Sequence, residues 1–148
     1  MSRKIIFYLS LFLILFIVTG CIIKKEVRKV ENIIEKSNNS IKIIINNKNY
    51  LLYLEDNDTV KSFIKMLPKE FDMNELNGNE KYVYLDDSLP TNSSSINHIN
   101  RGDVMLYGDN CLVIFYKSFD TSYSYTKIGH INDLDDLNNE NIKVKFEK

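Results

Sequence analysis

The chain reads as mainly β: a small closed β-barrel, or at least a closed or sandwiched sheet, with one main helix and one short helical turn. Three observations predict this. Apolar and polar residues alternate over Ile41–Ile45 and again over Ile142–Phe146, the period of a half-buried strand. Turn signals recur at Asn46-Asn47-Lys48, Asn77-Gly78-Asn79 and Gly108-Asp109-Asn110. Beyond residue 40 only one good helix is legible, so seven or eight short strands must bury their apolar faces on one another. Closure into a barrel also removes the unpaired edges that such strands would present.

The first segment is an address. Arg3 and Lys4 precede the apolar run IIFYLSLFLILFIV of Ile5–Val18, followed by Thr19-Gly20-Cys21. A positive start, an apolar stretch and small residues at the cut match a secretory signal over residues 1–20. The run is shorter than the roughly 20 residues that cross a bilayer comfortably. Extension through Ile22 and Ile23 leaves an uncleaved anchor as the alternative. Val18-Thr19-Gly20-Cys21 resembles the lipobox of bacterial lipoproteins, which implies cleavage before Cys21 and acylation of its thiol and new amino terminus. Two or three acyl chains, at about 0.8 kcal/mol per buried methylene, give stable attachment to membrane lipid.

Residues 21–40 then form a tether. Lys24, Lys25, Arg28 and Lys29 lie close to the lipid attachment, where they would favour anionic headgroups. Val27, Val30 and Ile34 trace a thin helical stripe, either a short juxtamembrane helix or a solvated spacer. Ser37-Asn38-Asn39-Ser40 is a polar break, and the domain of residues 41–148 begins after it.

In that domain Ile41, Ile43 and Ile45 face one way and pair through the Asn-rich turn with Tyr50–Leu54. Asn57, Asp58 or Thr59 can cap a helix whose Val60, Phe63, Ile64 and Leu67 share a face, and Pro68 ends it. Phe71–Leu76 and Glu80–Leu85 flank the Asn77-Gly78-Asn79 turn. Val83 and Leu85 are expected to point inward, with Tyr82 and Tyr84 on the opposite face. A polar loop, 86–100, leads to Asp103–Tyr107 and to the apolar run CLVIFY of Cys111–Tyr116. The loop SFDTSYSY of Ser118–Tyr125 is expected to close one mouth of the barrel. Thr126–Ile131 is a strand, Asp133–Leu137 a capped helical turn, and Ile142–Phe146 the last strand.

Composition excludes some functions. Lys+Arg number 19 against Asp+Glu 20, so no basic surface invites nucleic acid. Cys21 and Cys111 are too few for a disulfide framework, and Cys111 in an apolar strand is expected to pack as a small hydrophobe. His98 and His130 lack ligand-spaced neighbours. Asp86-Asp87 and Asp135-Asp136 lack the alternating oxygens and Gly turn of a calcium loop. No nucleophile elbow, phosphate-cradling loop or zinc spacing is present, so no metal, cofactor or catalytic residue is assigned. Arg101-Gly102-Asp103 spells an adhesion tripeptide, but a turn that starts a strand explains it better.

The domain from Ile41 to Glu147 resembles the bacterial cyclophilin-like family. The matching pieces are Ile43–Leu54 and Met66-Leu67-Pro68, then Leu76–Tyr82 and Leu89-Pro90-Thr91-Asn92, then Arg101–Gly108, Cys111–Phe119 and Thr121–Thr126. The resemblance implies a compact barrel related in fold to prolyl isomerases, with no established activity. Prolyl isomerases of this fold work with a strand-borne Arg, whereas the strand expected to hold it reads Lys81-Tyr82-Val83-Tyr84-Leu85. Lys lacks the planar fork that sits over a twisted amide. The expectation is therefore a binding or accessory module for a peptide or small molecule. Its groove would be built from Tyr82, Tyr84, Met105, Phe119, Thr121, Ser122, Tyr123 and Tyr125. The alternatives are a weak isomerase or folding helper at the cell surface and a structural envelope protein.

Overall fold

The computed structural model describes residues 23–29 and 39–148. Residues 1–20, expected to be a signal sequence, and Cys21 lie outside the described residues. Residues 23–29 form a helix, α1, whose side chains are all exposed. No helix among the described residues is long and apolar enough to cross a membrane.

Residues 39–148 form a separate compact unit. Its strands are β1 (Ser40–Ile45), β2 (Lys48–Leu54), β3 (Lys69–Leu76), β4 (Glu80–Tyr84), β5 (Ser94–Ser95) and β6 (His98–Ile99). They continue with β7 (Asp103–Tyr107), β8 (Cys111–Phe115), β9 (Phe119–Asp120), β10 (Ser124–Ile131) and β11 (Ile142–Glu147). Helix α2 (Asp58–Lys65) separates β2 from β3. The order β2-β1-β11-β3-β4-β8-β7-β10 is closed by pairing of β10 back onto β2, so eight antiparallel strands make a barrel.

Local sequence explains the joins. Asn46 and Asn47, at φ 48° and 66°, make the two-residue turn between β1 and β2, and both adopt the left-handed region that Asn tolerates. Asn77 and Gly78 do the same between β3 and β4, at φ 56° and 70°. The Asn57 side chain accepts the Val60 amide at 2.9 Å, capping α2, which then buries Val60 and Phe63. Phe63 meets Phe146 edge to face at 5.2 Å. At the closing seam Gly129 packs directly against the β2 backbone, where a Cβ would fall 2.2 Å from the Tyr53 carbonyl oxygen.

The expected helical turn at Asp133–Leu137 is not formed. Asp133 takes φ 52°, which interrupts a helix, and the connection runs on irregularly across one end of the barrel. Its Leu134 and Leu137 have helix-like spacing because both drop into the interior, not because they share a helix face.

Candidate functional site

Two apolar clusters share β7 and β8. Leu112, Ile114 and Tyr116 point into the barrel with Val104 and Leu106, whereas Cys111, Val113, Phe115 and Met105 point outward into a second cluster. Both faces of β8 are therefore buried, which is why its sequence is a continuous apolar run instead of an alternation. The short strands β5, β6 and β9 belong to the covering of that outer face. β6 pairs with β9, β5 with β10, and Ile96, Ile99 and Phe119 pack on the cluster.

The loop of residues 118–125 thus lies on the outer wall and does not close a mouth, contrary to the sequence expectation. Phe119 stacks against Phe115 at 5.6 Å between centroids, and Tyr125 meets the same ring at 5.5 Å. The aromatic rings of that loop follow the second cluster, because the barrel interior is already filled.

Where the covering stops, a cleft of about 300 Å³ remains open along the strands. Register places its parts in rows. Cys111 pairs with Tyr84 on one side and Tyr107 on the other, and Val113 pairs with Tyr82 and Met105. β8 therefore supplies the floor, and tyrosines of β4 and β7 rise on either side. Tyr82 and Tyr84 meet edge to face at 5.9 Å. Across the floor Tyr107 contacts Tyr123 at 6.0 Å and Tyr125 at 5.5 Å. Glu80, two residues before Tyr82 on the same strand, completes that wall, with Leu76 and Asn77 beyond it.

Of the residues assigned from sequence, Tyr82, Tyr84, Tyr123 and Tyr125 come together in this cleft. Met105 is buried beneath it, at 1% exposure, as part of the packing. Phe119 covers the cluster and does not line the cleft; Thr121 accepts the Tyr123 amide at 3.2 Å, and Ser122 is exposed on the same loop. Nearness in sequence is what groups these three with the tyrosines, whereas the wall is set by strand register. Glu80 and Tyr107 were missed, although period two could have found them: Glu80, Tyr82 and Tyr84 share a face, as do Met105 and Tyr107.

Burial shifts three titratable groups of the cleft in the same direction, upward. Burial, and then the charge of Glu75, push the Glu80 carboxyl above the usual carboxylate range. Burial, and then Glu80, raise the Cys111 thiol, so it is the protonated packing residue expected and not a nucleophile. Tyr125 is pushed up to about 12, first by burial and then by Glu80.

Lys81 lies on the opposite face of β4, inside the barrel. Its amine has no exposed surface and donates to Glu75 Oε2 at 2.5 Å, to the Asn138 carbonyl at 2.6 Å and to the Glu140 carbonyl at 2.7 Å. All three donors are used, and the amine sits 4.8 Å from the Tyr116 ring centroid. A side chain so engaged cannot reach a peptide on the outer wall. His130 and Asp103 are likewise structural, paired at 3.0 Å with Asp103 buried. The adhesion tripeptide is not displayed either, since Arg101 donates to the Leu134 carbonyl and Asp103 is buried. Among the described residues no group of His, Cys, Asp and Glu could hold a metal ion.

The profile of the cyclophilin-like family matches residues 43–147, all of the barrel but the first residues of β1. The chain belongs to the cyclophilin-like family. This family membership accounts for the closed eight-strand architecture and assigns no activity. No curated protein is significantly similar to the chain. Among solved structures, the solution structure of a hypothetical protein from Archaeoglobus fulgidus is similar in fold. It is 17% identical with a TM-score of 0.53, over 73% of this chain and 92% of the other.

Proposed function

We propose that this cyclophilin-like chain is a lipid-anchored, extracytoplasmic binding module whose outer-wall tyrosine groove takes a small ligand or a peptide side chain. The observation that carries the reading is the exposure of three tyrosines around one cleft: Tyr84 at 65%, Tyr107 at 46% and Tyr123 at 60%. Large rings with polar tips are the groups that bind well from a surface, and here they stand on a rigid, fully packed floor. A barrel that needed only to fold would leave fewer apolar faces open on one wall.

The anchoring half rests on the lipobox-like Val18–Cys21 and on the segment after it. In α1 Ile23 and Val27 lie one turn apart, both exposed, with Lys24, Lys25, Arg28 and Lys29 beside them. That pattern suits a helix lying at a headgroup surface.

The binding reading is tested by screening a fragment library against the isotope-labelled full chain in maltoside micelles. Hits are expected to shift the amides of Tyr84, Tyr107 and Tyr123 and to lose affinity in Tyr84→Ala and Tyr123→Ala. A screen with no hit in the groove, or with hits indifferent to both substitutions, overturns it.

A further inference from the structure

The residues that line the groove include one carboxylate, Glu80, and no cation. The Glu80 carboxylate has no hydrogen-bond or ion-pair partner among the described residues. Lys81 beside it in sequence points into the barrel and is saturated by Glu75 and two carbonyls. Lys127, on β10, is drawn to Asp103 and Glu55, at 3.6 and 3.9 Å. The Lys117 amine lies over the Tyr116 ring. A half-buried carboxylate left alone in an aromatic cleft is costly, and its charge is felt across the cleft by Tyr125 and Cys111.

We infer that the groove takes a small alkylammonium compound, with the positive head near Glu80 and its methyl groups among the rings of Tyr82, Tyr84, Tyr107 and Tyr125. The inference rests on the groove being a binding site and names the chemistry of its ligand. Anions meet both Glu80 and the negative faces of the rings. A neutral apolar ligand strips water from Glu80 and returns nothing. A hard metal cation needs several oxygen ligands where the cleft offers one carboxylate. A quaternary or tertiary ammonium spreads its charge over methyl groups, is weakly hydrated and satisfies rings and carboxylate together. The cleft, about 300 Å³, matches a small molecule of that kind.

The test compares choline with its neutral carbon isostere, in which a quaternary carbon replaces the nitrogen. Each is titrated into the labelled full chain in maltoside micelles. Choline is expected to shift the groove amides in a saturable way and to bind at least about tenfold more tightly than the isostere. Glu80→Gln, which keeps shape and removes charge, should abolish most of that preference, and Tyr84→Leu should reduce it. Equal binding of the two compounds in the wild-type groove overturns the inference while leaving the groove a binding site. Absence of saturable choline binding overturns it too, and the fragment screen then decides whether the groove binds anything. The wild-type comparison needs no variant, so a failure of either substitution to fold does not blunt it.

Discussion

Lys81 Nζ and Glu75 Oε2 lie 2.5 Å apart at the end of the barrel, the lysine with no exposed surface and the glutamate with little. The Tyr116 hydroxyl donates to the same carboxylate oxygen at 2.9 Å, and the Gly78 amide donates to the other at 2.6 Å. The carboxylate thus joins the β3–β4 turn, the end of β8 and, through Lys81, the connection at Asn138 and Glu140. It is a polar clasp over one end of an apolar barrel.

Breaking one side of this clasp should be expensive. Lys81→Met leaves Glu75 without its cation and takes the donor from the Asn138 and Glu140 carbonyls, and is expected to lower unfolding free energy by about 3–5 kcal/mol. Urea denaturation of the variant checks this. A loss of under about 1 kcal/mol would mean that water replaces the amine and that the clasp is not structural.

The clasp also fixes how stability responds to pH. Burial raises the Glu75 carboxyl, but hydrogen bonds from Lys81, Tyr116 and Gly78 outweigh it and hold it below the usual glutamate range. A folded value below the unfolded one gives stability that is full above the ordinary glutamate pKa. That stability is lost as pH falls through the depressed folded value. Tyr116 is pushed up to about 12, by burial and then by Glu75, so its contribution is full below about 10 and is lost as pH rises towards 12. In Tyr116→Phe the fall of stability between pH 10 and 12 should be shallower, by about 1.4 kcal/mol per pH unit at most. Denaturation midpoints across that range read it, and unchanged steepness refutes the assignment.

Much of this was legible in the sequence and some was not. The eight barrel strands, their tight turns and α2 followed from period two, paired Asn and helical spacing, all local signals; which of Asn57, Asp58 and Thr59 caps α2 stayed open, and the two-residue strands β5, β6 and β9 lie in stretches that read as loops. The alternation that turned Val83 and Leu85 inward also turned Lys81 inward. No local signal says that a lysine there is buried, because the three acceptors that allow it lie on Glu75, Asn138 and Glu140. The groove was half legible: Tyr82 and Tyr84 follow from one strand, but Tyr107 joins them only through the registers of β4 and β7 on β8. The aromatic loop reads as a cover for a mouth because its own sequence does not reveal that β8 buries both faces.

The closing seam makes a sharper demand on one position. Gly129→Ala puts a methyl against the Tyr53 carbonyl and should cost about 3 kcal/mol or prevent folding. Gly108, at φ 61° with open space around it, should lose only about 1–2 kcal/mol as alanine. Thermal melts of the two variants side by side test the difference; equal losses would mean that β10 and β2 are not in close contact.

Cys111 should behave as packing and not as a reagent. With Cys21→Ser as background, iodoacetamide at neutral pH is expected to leave the native chain unmodified and to alkylate Cys111 once denaturant is added. Its burial at 6% exposure and its raised thiol both demand this. Rapid labelling of the native chain would show that the floor of the cleft opens.

The most direct measurement is a crystal structure of the barrel with the best groove ligand bound. That ligand is expected on Cys111 and Val113, between Tyr84 and Tyr107. A ligand seated elsewhere, or a groove that stays empty while the ligand binds another face, would contradict it.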